Sequence, residues 1–323
     1  MTDRPAEASI YPAAGGVSSD SAVQEVYWRA IVVFYTSARV NNSTLRLMFF
    51  TNGEPPVVAG HSVRALLEAL GVEIRIVPMS RRISRPQVTH WGNVLYFIDV
   101  LDALAQEDRD TRIVLTDCDV VVAGPVDGVF AELGSHEFVG YVLDRPATEL
   151  INGIDRLEMT ALAGEIFGTR FDTPIRHFGG ELFATTIAAW LRHRHLFHDL
   201  FARAQAGGPF VNVCTEEHFF SIVFAGIPDS VAEARGAIKR MWTARTVRTV
   251  ERGDELLPLW HLPAEKRYGI RYLFDALAAR RFALPPPAQF RRTAQKYCGI
   301  PHAGLAKIAR DYGVRAIRMG RRK

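Results

Sequence analysis

The apolar residues in the first 120 positions form runs that alternate with segments of helical spacing. Residues 30–35 form a continuous apolar run, and residues 45–50 form a second one that only Arg46 interrupts, which is typical of strands buried on both faces. Apolar and polar residues alternate over 72–76, and a further apolar run over 112–116 leads directly into Asp117. These four runs predict four strands.

Apolar residues recur at helical spacing in two segments between these strands. The first spans residues 63–70 and is followed by Gly71, a residue suited to capping a helix C-terminus. The second spans residues 91–104. Because strands alternate with helices at this spacing, we expect an α/β fold with a doubly wound, mainly parallel sheet.

The pattern is less regular beyond residue 120. Short strands are predicted over 138–143 and 182–184, and helices over 186–206 and 216–225. Three consecutive prolines at 285–287 favour an extended segment, so we expect the compact body to end there. The predicted units are a loose leader (1–24), one domain (25–284) with a regular part (25–120) and an irregular part (121–284), and a basic C-terminal tail (285–323).

The composition is that of a globular protein. The chain has 323 residues, of which 48% are hydrophobic and 23% charged. No stretch approaches the roughly 18 to 20 apolar residues that span a bilayer, and the first thirty residues lack the apolar segment of a signal peptide. Cys118, Cys214 and Cys298 match no zinc spacing, which favours reduced thiols in a cytoplasmic protein.

The net charge of +4 is unevenly distributed. Residues 291–323 contain ten Lys or Arg and one acid, Asp311. A basic segment of this kind suits peripheral contact with the anionic inner face of a membrane, although a solvated basic end has the same composition. No basic stretch has the interleaved aromatic residues typical of nucleic-acid binding, so we expect no nucleic-acid partner.

Two aspartates stand where the fourth predicted strand ends. Open α/β sheets bind ligands beyond the carboxyl ends of their strands, and Asp117 and Asp119, two residues apart, can meet one cation from the same side. Oxygen ligands of this kind suit Mn²⁺ or Mg²⁺. A charged pair between apolar runs is costly unless it is used. The pattern therefore indicates a divalent-cation site, although acids in a solvated turn have the same spacing.

Three later motifs also carry chemistry. Residues 177–183 contain a glycine pair, which lets the backbone approach a ligand closely. Glu216 and Glu217 begin a predicted helix, where acids either act on a substrate or simply favour the helix N-terminus. His261 and Lys266 offer a metal ligand and a partner for phosphate.

In this order the motifs resemble the GT-A class of glycosyltransferases over roughly residues 28–275. The glycine pair followed by the acidic pair is similar to the blood-group-type retaining galactosyltransferases. The segment from His261 to Lys266 resembles the late H-x-x-G-x-x-K motif of the glycogenin-like transferases and their bacterial lipooligosaccharide relatives. It departs from that motif at Ala264, which replaces the glycine, and in the lysine, which falls one position early.

This resemblance implies a GT-A-like fold in which residues 25–120 bind a nucleotide and residues 121–284 bind an acceptor. It implies transfer of a hexose from a UDP-sugar, with retention, to the hydroxyl of a glycan, a lipid-linked or a small-molecule acceptor. By the same resemblance Asp117, Asp119 and His261 hold Mn²⁺ or Mg²⁺, and Glu216 or Glu217 faces the anomeric carbon. The implied donor contacts are Tyr35, Thr36, Asp117, Gly179, Gly180, Glu181 and Lys266.

Other functions fit parts of the sequence. Asp117-Cys118-Asp119-Val120-Val121 also matches the nucleophile motif of haloacid-dehalogenase-type phosphatases, with Asp117 as nucleophile. That family has the motif on its first strand and a second acidic motif, whereas Gly253-Asp254 here lacks its second aspartate. A sugar nucleotidyltransferase needs a glycine-rich loop that is missing after residue 35. A non-catalytic nucleotide-sugar-binding protein is the remaining alternative.

Overall fold

The computed structural model of the protein describes residues 7–10, 21–83, 94–234, 236–244 and 246–320. The strands within these ranges are β1 (Glu7–Ile10), β2 (Arg46–Thr51), β3 (Val57–Val58), β4 (His61–Ser62), β5 (Val72–Ile76), β6 (Arg112–Thr116), β7 (Val120–Val122), β8 (Phe138–Val142), β9 (Phe178–Thr186), β10 (Val231–Glu233), β11 (Ile238–Arg240) and β12 (Leu259–His261). The α-helices are α1 (Ser21–Asn41), α2 (Val63–Ala69), α3 (Tyr96–Leu104), α4 (Asp127–Glu132), α5 (Arg156–Phe167), α6 (Ile187–Ala206), α7 (Glu216–Ala225), α8 (Gly269–Ala279), α9 (Pro287–Cys298) and α10 (Leu305–Gly320).

A seven-stranded sheet organises the molecule, in the order β10-β8-β9-β6-β1-β2-β5. The pairs β1–β2, β1–β6, β2–β5 and β8–β10 are parallel, whereas β9 runs antiparallel to both β6 and β8. A second sheet, in the order β11-β12-β7, begins directly after the aspartate pair. The predicted α/β class with a mainly parallel sheet is therefore confirmed.

Most predicted elements between residues 45 and 225 are present. The strands β2, β5, β6 and β8 and the helices α2, α6 and α7 agree with their predicted bounds within about two residues. Strand β9 is longer than its predicted three residues, because its first positions include the glycine pair, which carries no apolar signal. The predicted helix over 91–104 is present as α3, while its positions 91–93 lie outside the described residues.

The strand predicted over residues 30–35 is wrong, because this segment is the middle of the 21-residue helix α1. All six side chains are buried. A helix that is covered on every side is apolar all round, and a short stretch of it cannot be told from a buried strand by periodicity. Helix α1 packs against α8, α2 and β7, and residues 30–38 in its middle are buried.

Helix α1 also fixes the start of the second sheet. The Asn41 amide donates to the carbonyl oxygen of Val122 at 2.9 Å, and the hydroxyl of Ser37 accepts from the backbone N–H of Val122 at 3.0 Å. Both bonds lie on buried or half-buried groups, where hydrogen bonds are strongly required. They anchor β7, and with it the chain that follows Asp119.

The ends of the chain differ from the sequence-based expectation. Residues 7–10, assigned to a leader, form β1 between β2 and β6; the other positions below 21 lie outside the described residues. The compact body does not end at residues 285–287, because Pro287 begins α9, where a missing N–H costs nothing. Phe290, Ala294 and Cys298 of α9 belong to the same hydrophobic core as α1 and α8. None of the described helices has the length and apolar character to cross a membrane.

Candidate active site

The aspartate pair lies at the carboxyl edge of the main sheet. Asp117 follows β6, and Asp119 immediately precedes β7. The Asp119 carbonyl oxygen accepts a 3.0 Å hydrogen bond from the backbone N–H of Leu262, which ties this turn to the end of β12. The side chain of Asp119 is 3% exposed and that of Asp117 is 23% exposed. The less buried carboxylate therefore opens towards solvent.

Antiparallel pairing of β12 with β7 brings His261 to the aspartates. His261 lies opposite Val120 in the register, next to Asp119. Its Nε2 atom is 3.5 Å from Oδ2 of Asp117 and 3.3 Å from Oδ1 of Asp119. One ligand atom from each of the three side chains lies within 4.8 Å of the others. The cluster can therefore hold one divalent ion, as expected for these residues.

The partner of the other ring nitrogen supports this use of His261. Its Nδ1 atom is 3.2 Å from Oε1 of Glu181, a fully buried carboxylate. When Nδ1–H donates to Glu181, Nε2 is left as an acceptor that faces both aspartates. A carboxylate behind a metal-ligating histidine is a common way of fixing its tautomer and ring orientation. The residues present thus fit a bound divalent cation.

Lys266 adds a positive charge to the cluster. It lies in the 3₁₀ turn Pro263–Arg267, and its Nζ atom is 2.5 Å from Oδ2 of Asp119. The ammonium group also lies 5.2 Å from the centroid of the Tyr27 ring. The lysine is thus within reach of any anion that binds at the aspartate pair. It reaches this position although it is one residue closer to His261 than the lysine of the H-x-x-G-x-x-K motif.

Burial and the neighbouring charges shift the pKa values of the cluster in opposite directions. Burial raises the pKa of Asp117 to about 7, and the negative charge of Asp119 adds to this effect. Burial would also raise the pKa of Asp119, but Lys266 and His261 outweigh it and hold that pKa well below its usual range. Burial opposes a charge on His261, yet Asp119 and Glu181 raise the pKa of its imidazole to about 10. Without a metal ion, bound protons and the ammonium group of Lys266 thus balance the negative charge of the carboxylates. A bound cation would take over this role.

Behind this cluster Arg240 joins two further carboxylates. Its guanidinium group donates to both oxygens of Glu181, at 2.7 Å each, and to Oε1 of Glu217. Burial would raise the pKa of Glu217, but hydrogen bonding from His177 and the charge of Arg240 lower it to about 2. Glu217 is therefore an ionised, fully engaged side chain.

Glu216 has the opposite environment. Its Oε2 atom is buried and has no hydrogen-bond partner among the described residues. Burial, together with the charges of Asp117 and Glu217, raises the pKa of the Glu216 carboxyl well above its usual value. Thr215 caps the helix that begins at Glu216, by accepting a hydrogen bond from the N–H of His218. Of the two predicted catalytic acids, Glu216 is thus the one with a carboxyl oxygen that has no partner among the described residues.

The glycine pair makes room for these carboxylates. A Cβ atom on Gly180 would collide with the side chain of Glu216, and one on Gly179 would collide with that of Glu181. Both glycines lie near the start of β9, where the strand passes between the two carboxylates. They support the site from behind, and they do not belong to the surface of the cavity in front of it.

A cavity of about 280 Å³ opens in front of the cluster. Six of its lining residues were predicted from the sequence, namely Asp117, Asp119, Glu216, Glu217, His261 and Lys266. Beside them lie side chains that were not predicted from the sequence, among them Arg145, Leu150, Asn152, Arg240, Trp242 and Pro263. Glu181, predicted as a donor contact, lies behind His261 and is fully buried.

Tyr35 and Thr36 require a correction. They were expected at the end of a first strand, but both are buried in α1. The Tyr35 hydroxyl donates to the carbonyl oxygen of Met48, and the Thr36 hydroxyl donates to that of Val32 at 2.8 Å. Their polar groups are satisfied inside the protein, so neither is available to a nucleotide. The error follows directly from the wrong strand over residues 30–35.

The most important residue missed by the sequence is Arg240. It lies in β11, parallel to β12, directly beside His261 in the register. In the sequence it belongs to a Lys-Arg pair in a short strand, which looks like an exposed basic edge. Only the packing of β11 on β12 turns one of these two side chains inward, so no local signal identifies it.

The fold is that of the GT-A class of glycosyltransferases. Among solved structures, the chain is similar to the bifunctional glycosyltransferase WbbM, with a TM-score of 0.52 and 10% identity over 91% of this chain and 52% of that one. It is also similar to an active-site mutant of LgtC, with a TM-score of 0.50 and 13% identity over 88% and 99% of the two chains. Mouse xyloside xylosyltransferase 1 overlaps with a TM-score of 0.47 and 11% identity, over 81% and 98%.

Sequence comparison adds no closer relative. No protein-family model matches the chain, and no curated protein matches it either. At 10% to 13% identity the structural similarity establishes the fold, and the activity has to be argued from the site.

Proposed function

We propose that the protein is a metal-dependent glycosyltransferase that moves a hexose-type sugar from a UDP-sugar to an acceptor hydroxyl, with retention of configuration. The observation that supports this most directly is the convergence of Asp117, Asp119 and His261 on one point at the wall of the 280 Å³ cavity. Lys266 and Glu216, whose Oε2 atom has no partner among the described residues, line the same cavity. A cation site, a positive side chain and an unengaged acid are the groups that this reaction needs.

A divalent ion held by the aspartate pair would make the donor end of the cavity electropositive. A divalent ion bound there would neutralise the negative charge that develops on the diphosphate as the sugar bond breaks. Asp117, Asp119 and Nε2 of His261 would hold it, with Glu181 fixing the imidazole. Lys266 lies close enough to exchange its contact with Asp119 for a diphosphate oxygen. Preorganised charge of this kind is generally the largest catalytic contribution, roughly 10² to 10³ in rate for one group.

The two glutamates on the acidic side of the cavity have different roles. Arg240 holds Glu217 in place, and we assign to Glu217 the task of fixing the first turn of α7. Glu216 keeps an oxygen without a partner among the described residues, and once ionised it can stabilise the positive charge on the anomeric carbon or bond to it transiently. In a retaining reaction the acceptor hydroxyl then attacks from the face that the nucleotide leaves. NMR of the anomeric proton in the first product formed reads the configuration, and an inverted product would make Glu216 a base.

The test uses hydrolysis of the donor, because slow hydrolysis needs no acceptor. Chelator-treated protein is incubated with several UDP- and GDP-sugars, with and without added Mn²⁺. We expect turnover that depends on Mn²⁺, and a loss of about 10²-fold or more in kcat/KM for Asp119→Ala. Asp127→Ala removes an exposed aspartate at the start of α4 and serves as the matched control, with unchanged turnover expected.

Two other outcomes would point to the alternatives. Phosphate release from simple phosphate esters, without any sugar nucleotide, would favour a phosphatase with Asp117 as nucleophile. Asp254, which stands where that family would have its second acidic motif, pairs with Lys239 at 3.0 Å and lines a different cavity, which argues against the phosphatase. Donor binding by calorimetry with no turnover would favour a nucleotide-sugar-binding protein.

A further inference from the structure

A buried ion pair connects the C-terminal helix to the turn that carries Lys266. Nζ of Lys307, in α10, is 2.9 Å from Oε1 of Glu265, and the two side chains are 4% and 2% exposed. Lys307 also pairs with Asp311 one turn further along the helix. Lysine and glutamate are rarely this buried unless they are paired, because both charges have lost their water. The position of Lys307 is therefore determined by its partners.

Glu265 joins three segments of the chain through its other contacts. It accepts a hydrogen bond from the hydroxyl of Thr243 and one from the backbone N–H of Gly269 at 2.7 Å. Thr243 directly follows Trp242, which lines the cavity. Gly269 is the first residue of α8. A single carboxylate thus binds the Trp242 segment, the start of α8 and the C-terminal helix together.

Glu265 and Lys266 are neighbours in the 3₁₀ turn Pro263–Arg267. One side chain points to Lys307, and the other points to Asp119. Successive side chains of a 3₁₀ turn project about a third of a turn apart, so fixing the first limits where the second can reach. Holding Glu265 therefore holds the backbone from which Lys266 extends.

Helix α10 has further contacts that keep Lys307 in place. The guanidinium carbon of Arg310 lies 4.1 Å from the ring centroid of Tyr272 in α8 and 4.9 Å from that of Tyr297 in α9. Its Nη2 atom donates to the carbonyl oxygen of Tyr297 at 3.2 Å. The first half of α10 is thus docked on the body of the protein, although its sequence resembles a solvated basic tail.

We propose that Lys307 is a positioning residue of the active site, acting through Glu265 to hold Lys266 against Asp119. The C-terminal helix is then a part of the donor site. The proposal rests on the proposed function for its effect on catalysis, but the placement of the turn is a separate, measurable property. Because displacing a catalytic group by about 1 Å can cost about 10²-fold in rate, even a small shift of this turn has a large effect.

The test compares charge changes in the full-length protein. We expect Lys307→Met to lower kcat/KM for the donor by about 10- to 100-fold, and Lys307→Arg to recover most of that loss. Lys296→Met removes an exposed lysine from α9 and is the matched control, with unchanged kcat/KM expected. If Lys307→Met fails to fold, Glu265→Gln combined with Lys307→Met removes both buried charges and keeps groups that can bond Thr243.

A double-mutant cycle separates positioning from general destabilisation. If Lys307 acts through Lys266, its replacement should have little further effect in a Lys266→Met background, whereas a general loss of stability would lower kcat/KM equally in both backgrounds. Equal effects in the two backgrounds, or unchanged kcat/KM in Lys307→Met, would overturn the proposal.

Hydrogen exchange provides a readout that does not need activity. In the absence of donor, Lys307→Met should accelerate exchange of the backbone amides of residues 262–269 by about tenfold or more relative to Lys296→Met. Unchanged exchange in this segment would contradict the positioning role even if the wild-type protein turns over no donor. If the wild-type protein turns over no donor but Lys307→Met accelerates amide exchange in this turn, the proposed function is rejected and the positioning role of Lys307 stands.

Discussion

Replacing Gly180 by alanine tests the assignment of Glu216 with a single methyl group. A Cβ atom at this position would lie 2.7 Å from the carboxyl carbon of Glu216, and still closer to the rest of that side chain. The closest atoms, Oε1 and Cγ, would lie 2.3 Å away, and ordinary van der Waals contact begins at 3.4 Å, so the side chain has to move by about 1.1 Å. The backbone of Gly180 has no positive φ, so the substitution adds no backbone strain.

The size of the effect follows from this displacement. A shift of about 1 Å in a catalytic group can cost about 10²-fold in rate, so we expect kcat for donor hydrolysis to fall by roughly 10- to 100-fold. This corresponds to about 1.4 to 2.7 kcal/mol in activation free energy. The cavity in front of Glu216 offers the displaced side chain room, so we expect the free energy of unfolding to change by only about 1 kcal/mol. Asp117, Asp119 and His261 are not touched, and the affinity for Mn²⁺ should remain that of the wild type.

The assay measures kcat for Mn²⁺-dependent hydrolysis together with urea unfolding and Mn²⁺ titration. Gly128→Ala is the control, because a Cβ atom on this residue of α4 meets nothing within 4 Å. That variant should keep its activity and gain up to about 1 kcal/mol in stability, as expected for alanine in a helix. A folded Gly180→Ala protein with kcat within about twofold of the wild type would refute the role of Glu216 at the anomeric carbon.

Two predictions concern stability. Arg240→Met should lower the free energy of unfolding by about 3 kcal/mol or more, because it leaves the buried carboxylate of Glu181 without its main partner. The control is Arg64→Met, which removes one side of an exposed ion pair and should have no measurable effect in urea unfolding. His218 accepts a hydrogen bond from the Cys214 N–H and donates one to a carbonyl oxygen, and burial lowers its pKa to about 4. As the pH decreases, His218 binds a proton in the unfolded chain at about pH 6.5 but in the folded protein only at about pH 4. The free energy of unfolding should therefore fall by up to about 3 kcal/mol over this range. An unchanged pH slope in His218→Asn would contradict this.

The comparison of sequence and structure is most informative around the aspartate pair. The apolar run that ends at Asp117 predicts its position at a sheet edge, since the run and its end are both local features. The histidine of the cluster was found by resemblance to a motif, and the structure brings it to Asp119 by pairing β12 with β7. The two residues are far apart in the chain, so their meeting is a property of sheet topology.

The errors at residues 30–35 and 285–287 have a different origin. In both segments the local pattern is compatible with two structures, and burial by distant residues decides between them. An all-round apolar helix is favoured for α1 because α8, α2 and β7 cover it. Pro287 starts a helix because the following apolar residues find a place in the core.

The sequence by itself determined the α/β class, the aspartate pair at a strand end, the glycine pair and the acid that follows it, because each depends on residues close together in the chain. The tertiary structure decided which carboxylate is engaged by Arg240 and which is free, that Glu181 lies behind His261, and that Lys307 reaches Glu265. These contacts join strands and helices far apart in sequence. The charge of a buried group depends on every neighbour that folding brings to it, and periodicity contains no information about those neighbours.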